Sequence, residues 1–266
     1  MTSPKSDTPW IAPERPDLVW FHGDDALRFL DDIISQELED MSPGETRRAF
    51  LLEPQGKLRF LLWVIREHDR IGLLTDPGRG EELAESLRRY RIRVQVEIEP
   101  EAGGVWIVVG PWPGYDISWA AAPRHLVLGD RPQLDDGPGG EYERLRIVSG
   151  EPRWGVDVDE GTIPHESGLV PVSVDFTKGC FLGQELVARI DSRGGNTPRN
   201  LRLVRSDGPM GEGDLVTMDG EQMGVLTSTT KGAGLAMLKR AVSVGDTVEV
   251  GRTPARVEAL PIESIR

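Results

Sequence analysis

From Leu201 onward the sequence is cut into short apolar runs by glycine, proline and aspartate. The runs fall at 201–206, 213–218, 222–229, 233–238, 247–250 and 255–260. Short strands at this even spacing, bounded by turn-forming residues, predict a small antiparallel barrel or sandwich. The change of texture puts a domain boundary near Asn200. With 31 glycines and 20 prolines in 266 residues, the chain is one of turns and short elements rather than a helical bundle. Its length allows one large domain or two to three small ones.

Upstream of that boundary the elements are mixed. Leu27, Leu30, Ile34 and Leu38 recur at three- and four-residue steps, which predicts a helix over 24–38 with Asp24 as its N-cap. Runs at 49–53 and 58–66 flank Pro54-Gln55-Gly56-Lys57 and predict a β-hairpin. A strand over 71–75 follows. Residues 81–90 read as a helix, acidic in its first turn and basic in its last. The alternation Ile92, Val94, Val96, Ile98 predicts a half-buried strand, and 105–109 another. Strands then helices in this order predict an antiparallel α+β layer. Residues 111–140 are loop-rich around one strand at 126–128, and Trp112, Tyr115 and Trp119 read as packing over a loop. A short helix at 141–148 precedes a long polar connection. Residues 1–15 read as a disordered, proline-rich lead-in without the apolar core of a signal peptide.

The formal net charge of −13 argues against binding along a nucleic-acid backbone, which needs a basic face. A single cysteine excludes an internal disulfide framework and a complete four-cysteine metal or iron–sulfur site. The four histidines are scattered without metal-ligand spacing, so no metal site is expected. The apolar run at 60–65 is far short of the ~20 residues that span a bilayer. A cytoplasmic protein without membrane contact is the default expectation.

The stretch 176–202 departs from the rest. It holds Cys180, and between Lys178 and Arg202 it carries five cations against two anions. Gly179 and Gly183 bracket the cysteine, and 184–190 reads as a short helix. A thiol before a helix N-terminus, with Lys178 two residues away, is a candidate reactive thiolate. The alternative on chemistry alone is a small buried apolar residue.

Lys178-Gly179-Cys180-Phe181-Leu182-Gly183-Gln184-Glu185 resembles the KGC[YF]xGQE motif of the YgfZ-like folate-binding proteins, relatives of the glycine cleavage T protein. The match continues through Val187-Ala188-Arg189 and Arg193-Gly194. GDDALRFLDD at 23–32, Ile163-Pro164-His165-Glu166-Ser167-Gly168-Leu169, and Met223 to Ser228 with Gly234-Leu235-Ala236 resemble further family segments. The likeness covers roughly 15–266. It implies a three-lobed aminomethyltransferase-like α+β fold that binds tetrahydrofolate: a lead-in at 1–15, two intertwined α+β lobes over 16–199, and a C-terminal antiparallel β-barrel over 200–266.

The resemblance also implies a role: assembly, maintenance or repair of iron–sulfur proteins, with folate dependence, through the motif cysteine. Iron–sulfur client or assembly proteins are the implied partners. Cys180 and Lys178 are the implied catalytic pair, with Gly179, Gly183, Gln184 and Glu185 as motif support. Glu166 matches the family glutamate for the pterin ring, whose aminopyrimidine edge offers two N–H donors to a carboxylate. Arg189, Arg193 and Arg199 are candidates for the carboxylates of the folate tail. Aligned on Gly56, the paired aspartates of the T protein fall on Phe60 and Leu61. Neither stabilises a developing positive charge, which counts against the alternative of a folate-dependent aminomethyltransferase or demethylase. Whether the chain is an enzyme stays open at this point. Val148 likewise replaces the glutamate of the T protein's RLEAG segment.

Overall fold

The computed structural model describes residues 8–120 and 122–262. They form two compact units, each assembled from separate pieces of chain. The first takes residues up to Leu51, then Phe60–Gly139 and Ser173–Leu182; the second takes Leu52–Arg59, Gly140–Val172 and Gly183 onward. The barrel expected from 200 onward is therefore only part of a larger unit, and no unit ends at that boundary.

The first unit holds two sheets. Strands β2 (Asp17–His22), β3 (Thr46–Leu52), β4 (Leu58–Arg66), β5 (Arg70–Thr75) and β6 (Glu97–Pro100) form one sheet in the order β3-β4-β5-β2-β6. Helices α1 (Ala26–Asp31) and α2 (Gly80–Arg88) supply apolar residues to its core. Strand residues Val19, Phe21, Phe60, Leu62, Ile71 and Leu73 pack there with Leu30, Leu83 and Leu87, as the two-residue strand period and the helical period dictate. Strands β1 (Trp10–Ile11), β7 (Val105–Val109), β8 (Tyr115–Asp116) and β9 (Arg124–Leu128) form the second sheet, in the order β1-β7-β9-β8. Trp119 is fully buried and meets Trp63 edge-on at 6.5 Å between ring centres. It packs, as read from the sequence.

Three expectations need correction. The lead-in is not wholly disordered, because Trp10 and Ile11 pair with Val109 and Val108; residues 1–7 lie outside the described residues. The helix expected over 24–38 ends at Asp31. Asp24 is not its N-cap: Asp25 holds that position, and its carboxylate accepts the Gln95 N–H at 2.7 Å instead of capping. Tertiary hydrogen bonds replace the later turns. Ser35 Oγ donates to Ser173 O and accepts the Phe50 N–H, and Asp31 Oδ1 accepts the Leu38 N–H. Phe29, Leu30, Ile33, Ile34 and Leu38 are buried all the same, so their spacing recorded a core and not a long helix. Finally, the strand expected over 92–98 begins only at Glu97. Arg93 adopts a left-handed φ of 57° and Ile92 is 73% exposed, so the alternation there breaks before the sheet starts.

The second unit contains α3 (Glu141–Val148), a 3₁₀ turn at Pro164–Ser167 and α5 (Gln184–Asp191), with α4 (Val170–Ser173) between the last two in sequence. Strands β10 (Arg199–Arg205), β11 (Leu215–Met218), β12 (Glu221–Thr230), β13 (Ala233–Lys239), β14 (Thr247–Val250) and β15 (Thr253–Glu258) close into a barrel in the order β10-β13-β12-β11-β14-β15. Every neighbouring pair is antiparallel, and β15 returns to β10. Val204, Val216, Leu226, Ala236, Leu238 and Val257 share one core. Leu201, Leu203 and Leu235, on the alternate face, pack with Ile147 of α3. Closure removes the sheet's edges; β10 and β13 are apolar on both faces where α3 packs on them, whereas β14 alternates exposed and buried residues.

Candidate functional site

The motif stretch straddles the two units, and each part is fixed by its own contacts. In the first unit, Lys178 has a fully buried side chain. Its ammonium donates to Asp31 O at 2.7 Å, Asp31 Oδ1 at 3.1 Å, Ile34 O at 3.1 Å and Gln36 O at 2.7 Å. These include carbonyls left open where α1 stops, and a cation there also suits the negative end of the helix. Lys178 was expected to act with the thiol two residues away. Its donors are spent on the α1 terminus, so it ties down the loop instead. Two residues on, Cys180 is exposed, which removes the buried-residue alternative. The N-cap of α5 is Gly183, so Cys180 lies three residues short of the helix start, outside the first turn where the dipole acts.

In the second unit, the glycine of the motif meets the glycine of the hairpin. Gly183 has φ +78° and Gly56 φ +81°; a β-carbon on Gly183 would lie 2.6 Å from Glu53 O, and one on Gly56 would lie 2.5 Å from Leu186 Cβ. The hairpin tip thus packs against the start of α5 at backbone distance, which only glycine allows. Gly179 has no such constraint: nothing lies within 4 Å of its would-be β-carbon. Gln184 opens α5, and Glu185 sits exposed in its first turn, where the dipole favours a carboxylate. Arg189 and Arg193 are exposed toward and beyond the other end.

Glu166, on the 3₁₀ turn, is 2% exposed. Its Oε2 accepts the Ile163 N–H at 3.1 Å, and Arg199 donates to it through Nε at 3.3 Å and Nη2 at 3.2 Å. The structure therefore joins two residues that the sequence assigned to opposite ends of one ligand. The pterin ring and the tail carboxylates of a folate lie at its two extremes, so Arg199 cannot hold the tail while Glu166 holds the ring. The neighbouring His165 side chain is 7% exposed, with Nε2 3.8 Å from Asp191 Oδ1 and neither ring nitrogen hydrogen-bonded. Burial pushes its pKa down, opposed by Asp191.

A buried ionic network was not foreseen. Arg146 of α3 donates to Asp157 Oδ2 at 2.7 Å, Glu151 O at 2.6 Å, Ser228 Oγ at 2.7 Å and both oxygens of Glu143. Asp157 Oδ1 accepts the hydroxyls of Thr227 and Ser228. Burial opposes the charge on Glu143, but Arg146 and Arg153 outweigh it and hold the carboxyl below its usual range. A signal existed: Arg146 stands four residues after Tyr142 and next to Ile147, on the buried stripe of α3, where a cation demands a partner. Beside the network opens a cleft of about 560 Å³, lined by residues of 155–159, Thr162, Arg199, Met223, Val225, Met237 and Lys239. It is the size of a small-molecule pocket.

Phe60 and Leu61 are both buried, with the Arg79 guanidinium 4.1 Å from the centre of the Phe60 ring. Among the described residues no cluster of three or more histidine, cysteine, aspartate or glutamate side chains could hold a metal ion. No helix among them is long and apolar enough to cross a membrane.

Comparison with known proteins places this arrangement. No family model matches the chain. The human mitochondrial iron-sulfur cluster assembly factor IBA57 is 29% identical over 266 residues, covering 83% of this chain and 74% of that protein. The mitochondrial IBA57 homolog of Pyricularia oryzae is 26% identical over 217 residues, 71% of this chain and only 56% of its own length. Among solved structures, the glycine cleavage system aminomethyltransferase T of Bartonella henselae superposes with a TM-score of 0.79 over 97% of this chain and 87% of its own, at 15% identity. That likeness covers the α+β fold with its closed C-terminal barrel. Motif, relatives and fold agree in what the chain resembles: its sequence is similar to the iron-sulfur cluster assembly factors named IBA57, as the YgfZ-like motif implies, and its fold is that of an aminomethyltransferase T.

Proposed function

We propose that this protein is a tetrahydrofolate-binding accessory factor in the assembly, maintenance or repair of iron–sulfur proteins, and that it acts through Cys180. One observation carries the reading: the chain's sole thiol is exposed on a loop tied down by a buried lysine, while the positions of the T protein's aspartates hold the buried Phe60 and Leu61. The iron-sulfur assembly names of the relatives point the same way. A single thiolate supplies at most one ligand to a cluster, so the work requires a partner, an iron–sulfur client or assembly protein.

The residues suit a folate. The carboxylate of Glu166 is buried and oriented by the Ile163 N–H, which prepares it for the paired N–H donors of an aminopyrimidine edge. Arg189 and Arg193, exposed near α5, are left for the tail carboxylates. Transfer of an aminomethyl group rests on fold alone, and no carboxylate stands at Phe60 or Leu61.

The test has two arms. Calorimetric titration with tetrahydrofolate should show binding to the wild type and at least tenfold weaker binding to Glu166→Ala, in keeping with ~1.5–3 kcal/mol for a charged hydrogen-bonded pair. A strain lacking its own homologue should regain iron–sulfur enzyme activity with the wild type but not with Cys180→Ser or Cys180→Ala. Full rescue by either variant refutes the thiol role.

A further inference from the structure

We propose that Arg199 is a built-in stand-in for the ligand's head group: its guanidinium occupies on Glu166 the place that the aminopyrimidine edge of a bound folate takes, so binding must displace it. The inference rests on the folate reading above. The chemistry of the two forks is the same. A pterin presents its ring N–H and exocyclic amino group as part of a cyclic guanidine unit, and Arg199 presents Nε and Nη2 to the two carboxylate oxygens. Both match a carboxylate bidentately.

The pair is lopsided in a way that fits a removable plug. The Glu166 side chain is 2% exposed, whereas that of Arg199 is 48% exposed. The carboxylate also accepts the Ile163 N–H of its own turn at 3.1 Å. The two Arg199 contacts, at 3.2 and 3.3 Å, are longer than the ~2.7–2.9 Å of a tight charge-assisted bond. The carboxylate is thus buried within its own turn, while the guanidinium that covers it is half exposed to solvent. Arg199 also has somewhere to go. It lines the 560 Å³ cleft, which Asp159 lines too, and Asp159 is exposed, so a displaced cation finds both room and a carboxylate. Pairing with Arg199 offsets the cost of burying the Glu166 carboxylate.

The measurement is the dissociation constant of tetrahydrofolate for wild type, Arg199→Ala and Arg199→Gln, each checked for folding by circular dichroism. Removing the competitor should tighten binding by roughly fivefold, the equivalent of a partly exposed ion pair. Millimolar guanidinium should then weaken binding to Arg199→Ala, by refilling the vacated place, and leave the wild type unchanged. Equal or weaker binding by the folded variants overturns the plug and leaves the folate reading standing. No binding by any of the three proteins removes the folate reading and the plug with it. Arg199→Gln keeps a donor beside Glu166 and serves if Arg199→Ala does not fold.

Discussion

Gly183 and Gly56 approach so closely that neither tolerates a β-carbon, and this fixes the hairpin tip against the first turn of α5. The KGCFLGQE motif is therefore partly architectural. Gly183→Ala forces a left-handed φ on an L-residue and drives its β-carbon into Glu53 O, which should cost about 2 kcal/mol or more of stability. Gly179→Ala meets no atom within 4 Å and should stay within about 0.5 kcal/mol of wild type. Urea unfolding of the two variants side by side makes the comparison; equal costs would refute this account of the motif. Both glycines look alike in the sequence. Which one is constrained depends on what packs over it, and Glu53, over a hundred residues earlier, decides.

At the scale of the element, α1 shows how a tertiary contact sets a helix end. Its apolar periodicity runs on to Leu38, yet the helix stops at Asp31 because the ammonium of Lys178 takes the Asp31 carbonyl, together with those of Ile34 and Gln36 in the turn that follows. Lys178→Met keeps the stem's bulk and removes the cation, leaving those carbonyls without a donor. The expected loss is about 3 kcal/mol, as for breaking a buried charged contact, read from the shift of the urea midpoint. Faster proteolysis of the loop around Cys180 should accompany it, since Lys178 is its anchor. Unchanged stability would mean that water satisfies those carbonyls as well as the lysine does. The barrel strands behave differently. β10, β12 and β13 begin and end within about two residues of the runs read from the sequence, because strand period and turn chemistry are local.

At the scale of the whole molecule, His165 links stability to pH. Burial lowers its pKa, with Asp191 opposing, so the folded state binds the proton less readily than the unfolded chain. Such a group contributes stability that is fully present above the unfolded pKa of about 6.5 and is lost as pH falls through it toward the lower folded value. Between pH 7.5 and 5.5 the unfolding free energy of the wild type should fall more steeply than that of His165→Asn. Identical slopes would show that the imidazole is solvated in solution.

Much of this protein follows from local sequence. Alternating strands with glycine, proline and aspartate turns, two amphipathic helices and a hairpin are decided within a few residues of each other, and a chain with one cysteine can form no internal disulfide. The tertiary structure alone decided the rest. It joined Glu166 to Arg199 across 33 residues, spent Lys178 on the end of α1 rather than on the thiol, and brought Arg146 and Asp157 together with Ser228. A buried charge must find a partner, but its identity depends on which groups the fold carries within about 3 Å, and no spacing along the chain encodes that distance.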